Sequence, residues 1–285
     1  MSRNKYALFA LAAVVAALPS IAHADTTAQP KKIISLSPSA TEDLFAIGAG
    51  AQVVAVDDLS NFPTNAPISK LSAYDPNVEA IAAYSPDLVI MNSTATKEAD
   101  VATQLQSLGI KVYTEISPNS ITQAYSEISD LGQATGHATE ANALVSSMKK
   151  SIAAIIKNGR KTLPVSFFHE VDNTNYSATS KTFVGRVYAD FNLKNIADSA
   201  KLADASGYPQ LQNEYIIKAN PHIIFLSDAQ YGESSKTVAK RVGWSHISAV
   251  AKKHVIALPA DIPSRWGPRL VDFYRFVASS IAKIS

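Results

Sequence analysis

Apolar residues at Ala141, Leu144, Val145, Met148, Ile152, Ile155 and Ile156 recur every three or four positions through residues 139–158, while Lys149, Lys150 and Lys157 lie elsewhere on the same surface. That period belongs to an amphipathic helix. Thr139 or the residue before it caps the start, Glu140 suits the positive end of the helix dipole, and Gly159 stands where a left-handed stop is expected. At 1.5 Å per residue such a helix spans roughly 30 Å, about the width of a small domain.

The pattern on either side makes this helix a connector. Short apolar runs near residues 31–36, 53–56, 88–91 and 111–113 alternate with helical segments at 38–47, 97–108 and 121–131, and residues 57–67 form a polar, proline-punctuated loop. Beyond Gly159 the alternation restarts, with strands at 163–168, 223–226 and 255–258 and helices at 182–189, 213–219, 235–241 and 268–284. Strands alternating with helices imply parallel sheets covered on both faces. Glu79 and Glu214 each open a short helical turn, followed seven residues later by Pro86 or Pro221 and then by a buried strand. The echo reaches upstream to Ser72 and Tyr74 in one copy and Ser206 and Tyr208 in the other. This internal repeat predicts an α/β protein of two Rossmann-like lobes with mainly parallel sheets, joined by one long α-helix. The expected divisions are an N-terminal lobe at 25–137, the helix at 138–159 and a C-terminal lobe at 160–285.

The opening residues change the picture of where the chain works. Arg3 and Lys5 precede an apolar run from Tyr6 to Leu18, and Ala22 and Ala24 stand two apart before Asp25. This is the form of a secretory signal peptide cleaved between Ala24 and Asp25, with a run too short for a membrane span. Setting aside 24 of the 285 residues leaves 261, enough for two lobes of ordinary size. Removing Arg3 and Lys5 from the 26 basic side chains leaves 24, equal to the 24 acidic ones. A neutral mature surface without long basic runs argues against nucleic acid as a partner. Cysteine is absent, so no disulfide staples the fold and no cysteine at the cleavage site can carry a lipid. The expectation is an unlipidated, freely diffusing monomer in a Gram-negative periplasm.

Catalytic arrangements are scarce. There is no Gly-x-Ser-x-Gly elbow, no phosphate-binding Gly-x-x-x-x-Gly-Lys loop and no His-Glu-x-x-His, because Asn173 stands where the second histidine after His169 and Glu170 belongs. Gly48 and Gly50 follow a helix and precede a strand, so they read as a helix stop and not as a dinucleotide loop. Ligands of open parallel sheets sit beyond the carboxyl ends of the strands. Those rims carry Phe62, Tyr74, Tyr176, Tyr208, Tyr231 and Trp266. Flat side chains on opposed walls suit a large, flat or partly apolar ligand. Tyr74 and Tyr208 are equivalent in the repeat. Arg265 and Arg269 suit acidic groups on a ligand, Arg269 alternatively a structural ion pair. His169, at a strand end, is a candidate axial ligand to bound iron or cobalt, against the plainer reading of a hydrogen-bonded loop histidine.

Residues 34–42 (Ile-Ser-Leu-Ser-Pro-Ser-Ala-Thr-Glu), the strand 86–90, the single long helix and Trp266-Gly267-Pro268-Arg269 together resemble class III periplasmic binding proteins, the receptors of ABC importers for iron-siderophores, haem and vitamin B12. The resemblance spans essentially the whole mature chain. It implies that one glutamate on each lobe docks into arginines of an inner-membrane permease, and by motif position these are Glu79 and Glu214. It also implies a non-enzymatic receptor whose ligand is a cobalt or iron chelate, with no intrinsic cofactor. A cobalamin-type corrinoid is slightly favoured over haem and iron-siderophore, since the rims are not strongly basic. The candidate ligand contacts are Tyr74, Tyr208, Trp266, Tyr176, Phe62 and Arg265. Two rivals stay open. One is a periplasmic enzyme using Asp57, His169, Glu170 or Asp261 as acid and base; the other is a zinc or manganese receptor, which would need clustered histidines and acids.

Overall fold

The computed structural model describes residues 29–92, 96–200, 206–282 and 284, so the expected leader at 1–24 and its cleavage point lie outside the described residues. From the first strand, β1 (Ile33–Leu36), the chain enters α1 (Pro38–Ala46), where Ser37 caps the start by accepting from the Ala40 amide and proline occupies the first turn. It continues through β2 (Val53–Asp57), β3 (Ile68–Leu71), α2 (Val78–Ala82), β4 (Leu88–Asn92), α3 (Thr96–Ser107), β5 (Lys111–Glu115) and α4 (Ile121–Thr135). Then comes α5 (Ala138–Gly159), the 22-residue helix whose buried face is Ala141, Val145, Met148 and Ile152. The second half runs β6 (Val165–Glu170), α6 (Phe183–Asp190), β7 (Leu193–Asn195), α7 (Asn213–Ala219), β8 (Ile223–Leu226), α8 (Ser235–Ala239), α9 (Ser248–Ala251), β9 (Val255–Ala257) and α10 (Leu270–Ala282).

Among the described residues the strands form a five-stranded sheet ordered β3-β2-β1-β4-β5 and a four-stranded sheet ordered β7-β6-β8-β9, with every pairing parallel. Matching β6 to β1, β7 to β2, β8 to β4 and β9 to β5 superposes the two orders, leaving β3 as the extra edge of the first lobe. In both sheets the chain reverses its direction of travel at the centre, between β1 and β4 and between β6 and β8. That reversal opens a crevice at the carboxyl ends of the central strands.

Central strands are buried on both faces: β1, β8 and all of β4 but Asn92 are inaccessible, and apart from Ser35 of β1 those buried residues are apolar. Each such large side chain contributes about 1.5–3 kcal/mol of transfer free energy. The two edge strands that periodicity does not reveal, β3 and β7, are the exceptions. In β3 only Leu71 is buried, and β7 is three residues long with Lys194 exposed, so neither presents a run of apolar residues. Gly48 ends α1 in the left-handed region at φ 90°, as a helix stop requires. Gly159 does not: it lies inside α5, which ends at Arg160 in extended conformation, and a Cβ at Gly159 would meet Ala278 at 3.0 Å and Phe191 at 3.1 Å. Close helix packing, not chain reversal, explains that glycine. The start of α5 is likewise uncapped by any side chain, with His137 at the boundary in place of Thr139. No helix among the described residues is long and apolar enough to cross a membrane.

Candidate binding cleft

The carboxyl ends of β6 and β8, with the loops after β7 and β9, enclose a cavity of about 320 Å³ whose wall includes His169, Phe183, Tyr208, Ser227, Tyr231 and Trp266. Among the described residues no acidic, lysine or arginine side chain lines it. Phe183 meets the Trp266 ring edge-on, with centroids 6.4 Å apart. His169 is buried, its Nδ1 3.1 Å from the Tyr188 hydroxyl and its Nε2 3.2 Å from Ser227 Oγ. Burial pulls its pKa down to about 4, so the imidazole is neutral at physiological pH. With both nitrogens engaged, His169 in this arrangement follows the hydrogen-bonded reading and offers no free nitrogen to a metal. A larger cavity of about 1060 Å³ opens at the amino ends of β1, β4 and β5, beside Lys31, Asp87 and Lys111. It lies at the end of the sheet opposite the crevice.

Of the aromatics expected on the rims, Tyr208 and Trp266 line the cavity. Tyr74 stands on the first lobe and is 81% exposed. Its amide donates to Ser72 Oγ at 3.3 Å, and the Tyr208 amide donates to Ser206 Oγ at 3.2 Å, so the repeat seen in the sequence is also a repeat of local turn geometry. Tyr176 is bridged through its backbone to Gln210 and is half-exposed, outside the cavity wall. Phe62 lies over the Arg269 guanidinium at 4.5 Å from the ring centroid. Val171, Phe183 and Gln230 also line the cavity and were not singled out by sequence pattern; only their position just past strand ends or at a helix start marks them.

Arg265 and Arg269 lie outside this cavity wall. Both reach across to the first lobe and meet Glu42 of α1, Arg269 through a two-pronged pair with Nε at 2.8 Å and Arg265 at 3.6 Å. The Glu42 side chain is almost wholly buried, so the carboxylate draws in the nearest cations. The stretch 261–269 is therefore a strap from the second lobe laid against the first. Asn61 donates to Asp261 at 2.8 Å, and Trp266 Nε1 donates to Glu115 Oε1 at 3.1 Å. Gly267 abuts Asp43, where an added Cβ would sit 2.6 Å from Oδ1. Because Asp43 is fully buried and cannot swing aside, Gly267→Ala is expected to destabilise the protein by about 1–3 kcal/mol. Thermal melts of the variant check this; an unchanged Tm refutes the tight strap.

The acids of the enzyme reading are committed elsewhere. Glu170 is inaccessible and holds Arg241 at 2.5 and 2.6 Å, while Arg241 also pairs with Glu233 at 2.7 Å and lies over the Trp244 ring. Asp57 is buried and accepts from Ser60 Oγ, and burial is the main reason its pKa is raised. Among the described residues no group of histidines and acids is arranged to hold a metal ion.

Glu79 and Glu214 occupy the second position of α2 and α7, exposed and, among the described residues, without an ion pair. Both helices descend from the carboxyl-end side of their sheets into the next parallel strand, so the two carboxylates stand on the same side of the molecule as the crevice.

With this geometry in place, residues 33–262 match the family described as periplasmic binding protein, and the chain belongs to that family. It is 35% identical over 260 residues to an uncharacterised ABC transporter substrate-binding lipoprotein of Bacillus subtilis, covering 89% of this chain and 80% of the relative. A cobalamin-binding protein of Halobacterium salinarum is 28% identical over 86% of this chain and 67% of its own length. Among solved structures, a possible iron-binding (periplasmic solute-binding) protein of Staphylococcus epidermidis superposes with a TM-score of 0.80 at 27% identity, over 90% of this chain and all of that one.

Proposed function

We propose that this protein is a periplasmic receptor that captures a cobalamin-type corrinoid between its lobes, performs no chemistry on it, and presents it to an ABC importer permease. The observation that carries the ligand class is the cavity wall: among the described residues it is aromatic and apolar side chains with hydroxyls and an amide, and it bears no formal charge near neutral pH because burial lowers the His169 pKa to about 4. Such a wall suits an uncharged, amide-fringed macrocycle better than haem propionates or an anionic siderophore, whose charges would be desolvated without partners. A cavity of this size takes one edge of a large ligand, leaving Tyr74 on the opposite lobe to meet another face. The name of the Halobacterium relative supports the corrinoid; that of the Staphylococcus neighbour supports the second reading, an iron chelate.

Glu79 and Glu214, one per lobe at equivalent helix positions, are proposed to set the register on the permease. Two carboxylates spaced by a stiff assembly give a two-point electrostatic match to basic partner groups. Titration of the ligand-free protein with cyanocobalamin, haem and a ferric siderophore tests the ligand. A one-to-one shift of the corrinoid visible bands, weakened roughly tenfold by Tyr208→Ala, is expected, tenfold being about 1.4 kcal/mol. A Soret shift with no corrinoid response would overturn it.

A further inference from the structure

The strap brings Trp266 against a group of carboxyls that no cation balances among the described residues. Glu115, at the carboxyl end of β5, is inaccessible; Oε1 accepts from Trp266, the Ser37 hydroxyl also bonds the carboxyl, and Oε2 has no donor at full hydrogen-bond geometry. Glu127 of α4 hydrogen-bonds the Glu115 carboxyl and leaves its own buried Oε2 without a donor. Asp43 of α1, fully buried beneath Gly267, has no hydrogen-bond donor to either oxygen. The only charges facing this group from α1, α4 and β2 are themselves acidic: Glu42, Asp130 and Asp57. Tyr113 of β5 adds a phenol. From the strap, Arg265 and Arg269 are committed to Glu42. Two carboxylates cannot hydrogen-bond each other unless one carries a proton, and a buried carboxylate with neither cation nor donor is not maintained.

We propose that Glu115 and Glu127 share a proton and so act as a clasp that positions Trp266 in the wall of the binding cavity, a clasp that loosens when the pair ionises. Glu115 and Glu127 are positioning residues: they act through Trp266, which links the interface between the lobes to the cavity. While a proton is held, Glu127 carries it, Glu115 accepts from the indole, and the pair bears one negative charge where ionisation would leave two. When it leaves, like charges repel in a dry site, the strap relaxes from α1 and β5, and the aromatic wall loses the ring that Phe183 meets edge-on. Burial raises the pKa of both groups, and burial with the neighbouring Glu115 pushes Glu127 up to about 9, which places its loss of the proton on the alkaline side.

The test begins without any ligand. Trp266 emission, isolated by subtracting the spectrum of Trp266→Phe and thereby removing Trp244, is followed from pH 5.5 to 9.5. A red shift on the alkaline side of neutrality is expected in the wild type and absent in Glu115→Gln/Glu127→Gln, whose amides keep an acceptor for the indole and cannot ionise. The single Glu127→Gln, which leaves the Glu115 contact in place, repeats the test should the double variant fold poorly. Emission that is flat with pH in the wild type, or that titrates unchanged in the amide variants, overturns the proposal. A second arm rests on the corrinoid reading: cyanocobalamin affinity should fall at least tenfold between pH 6 and pH 9 in the wild type and stay level in the amide variants. A fluorescence transition removed by the amides but with no cobalamin binding at any pH supports the clasp and overturns the ligand assignment alone.

Discussion

Reversing both carboxylates proposed to dock, Glu79→Arg with Glu214→Arg, is expected to abolish delivery to the permease while ligand affinity survives. Each glutamate sits in the first turn of a short exposed helix, away from the cavity wall, so nothing that shapes the cleft depends on it. Placing like charges against basic partner groups costs several kcal/mol per site. With about 1.4 kcal/mol per factor of ten, the pair together should lower productive docking by roughly 100-fold or more. Single reversals should retain part of the activity, because one point of register remains. The measurement is ligand-dependent stimulation of the permease in proteoliposomes, alongside ligand titration of the free receptor. Loss of affinity in the double variant would refute the assignment, since the carboxylates would then belong to the cleft.

Arg269→Ala should produce the largest loss of stability. Its guanidinium makes the two-pronged pair with Glu42, whose side chain is about 1% exposed, and carries Phe62 on its face. Removing one partner of a buried pair leaves the other charged and unpaired, a loss of about 3–5 kcal/mol. Arg265, 3.6 Å from the same carboxylate, partly compensates and places the expectation at the lower end. For a chain of this size that lowers Tm by roughly 6–12 °C. Glu42→Gln in the same background should recover part of the loss, because it removes the stranded charge; absence of any recovery would show that packing, not charge, is responsible.

Stability should also depend on pH in a direction set by the acids between the lobes. Burial and the neighbouring Glu115 push the Glu127 pKa up to about 9 from an ordinary value near 4.5. A group raised in the folded state contributes fully below its unfolded value, and the contribution is lost as pH climbs through the folded one. His169 acts oppositely: lowered to about 4, it contributes above 6.5 and costs stability only as pH falls below that. From pH 6.5 to 9 these acids act with the same sign as Asp228, which burial pushes up to about 7, and Tm should decline across that window, less steeply in Glu127→Gln.

A good part of this protein was legible along the chain. Alternating apolar runs and helical periods, the stretch 138–159, and the paired units at Glu79 and Glu214 specify two parallel-sheet lobes and a long helix, because period and turn chemistry are local properties of the backbone. The edge strands β3 and β7 escaped that reading because one buried residue in four, or a three-residue strand, leaves no pattern. Gly159 was misread for a related reason: a glycine demanded by close contact with Ala278 and Phe191 looks in sequence like a glycine demanded by a turn. What only the tertiary structure decided were the partners. Arg265 and Arg269 pair with Glu42, 223 and 227 positions away, and Trp266 is held by Glu115, 151 positions away. Nothing local encodes such pairings, since a buried charge is satisfied by whatever the folded lobes bring within reach.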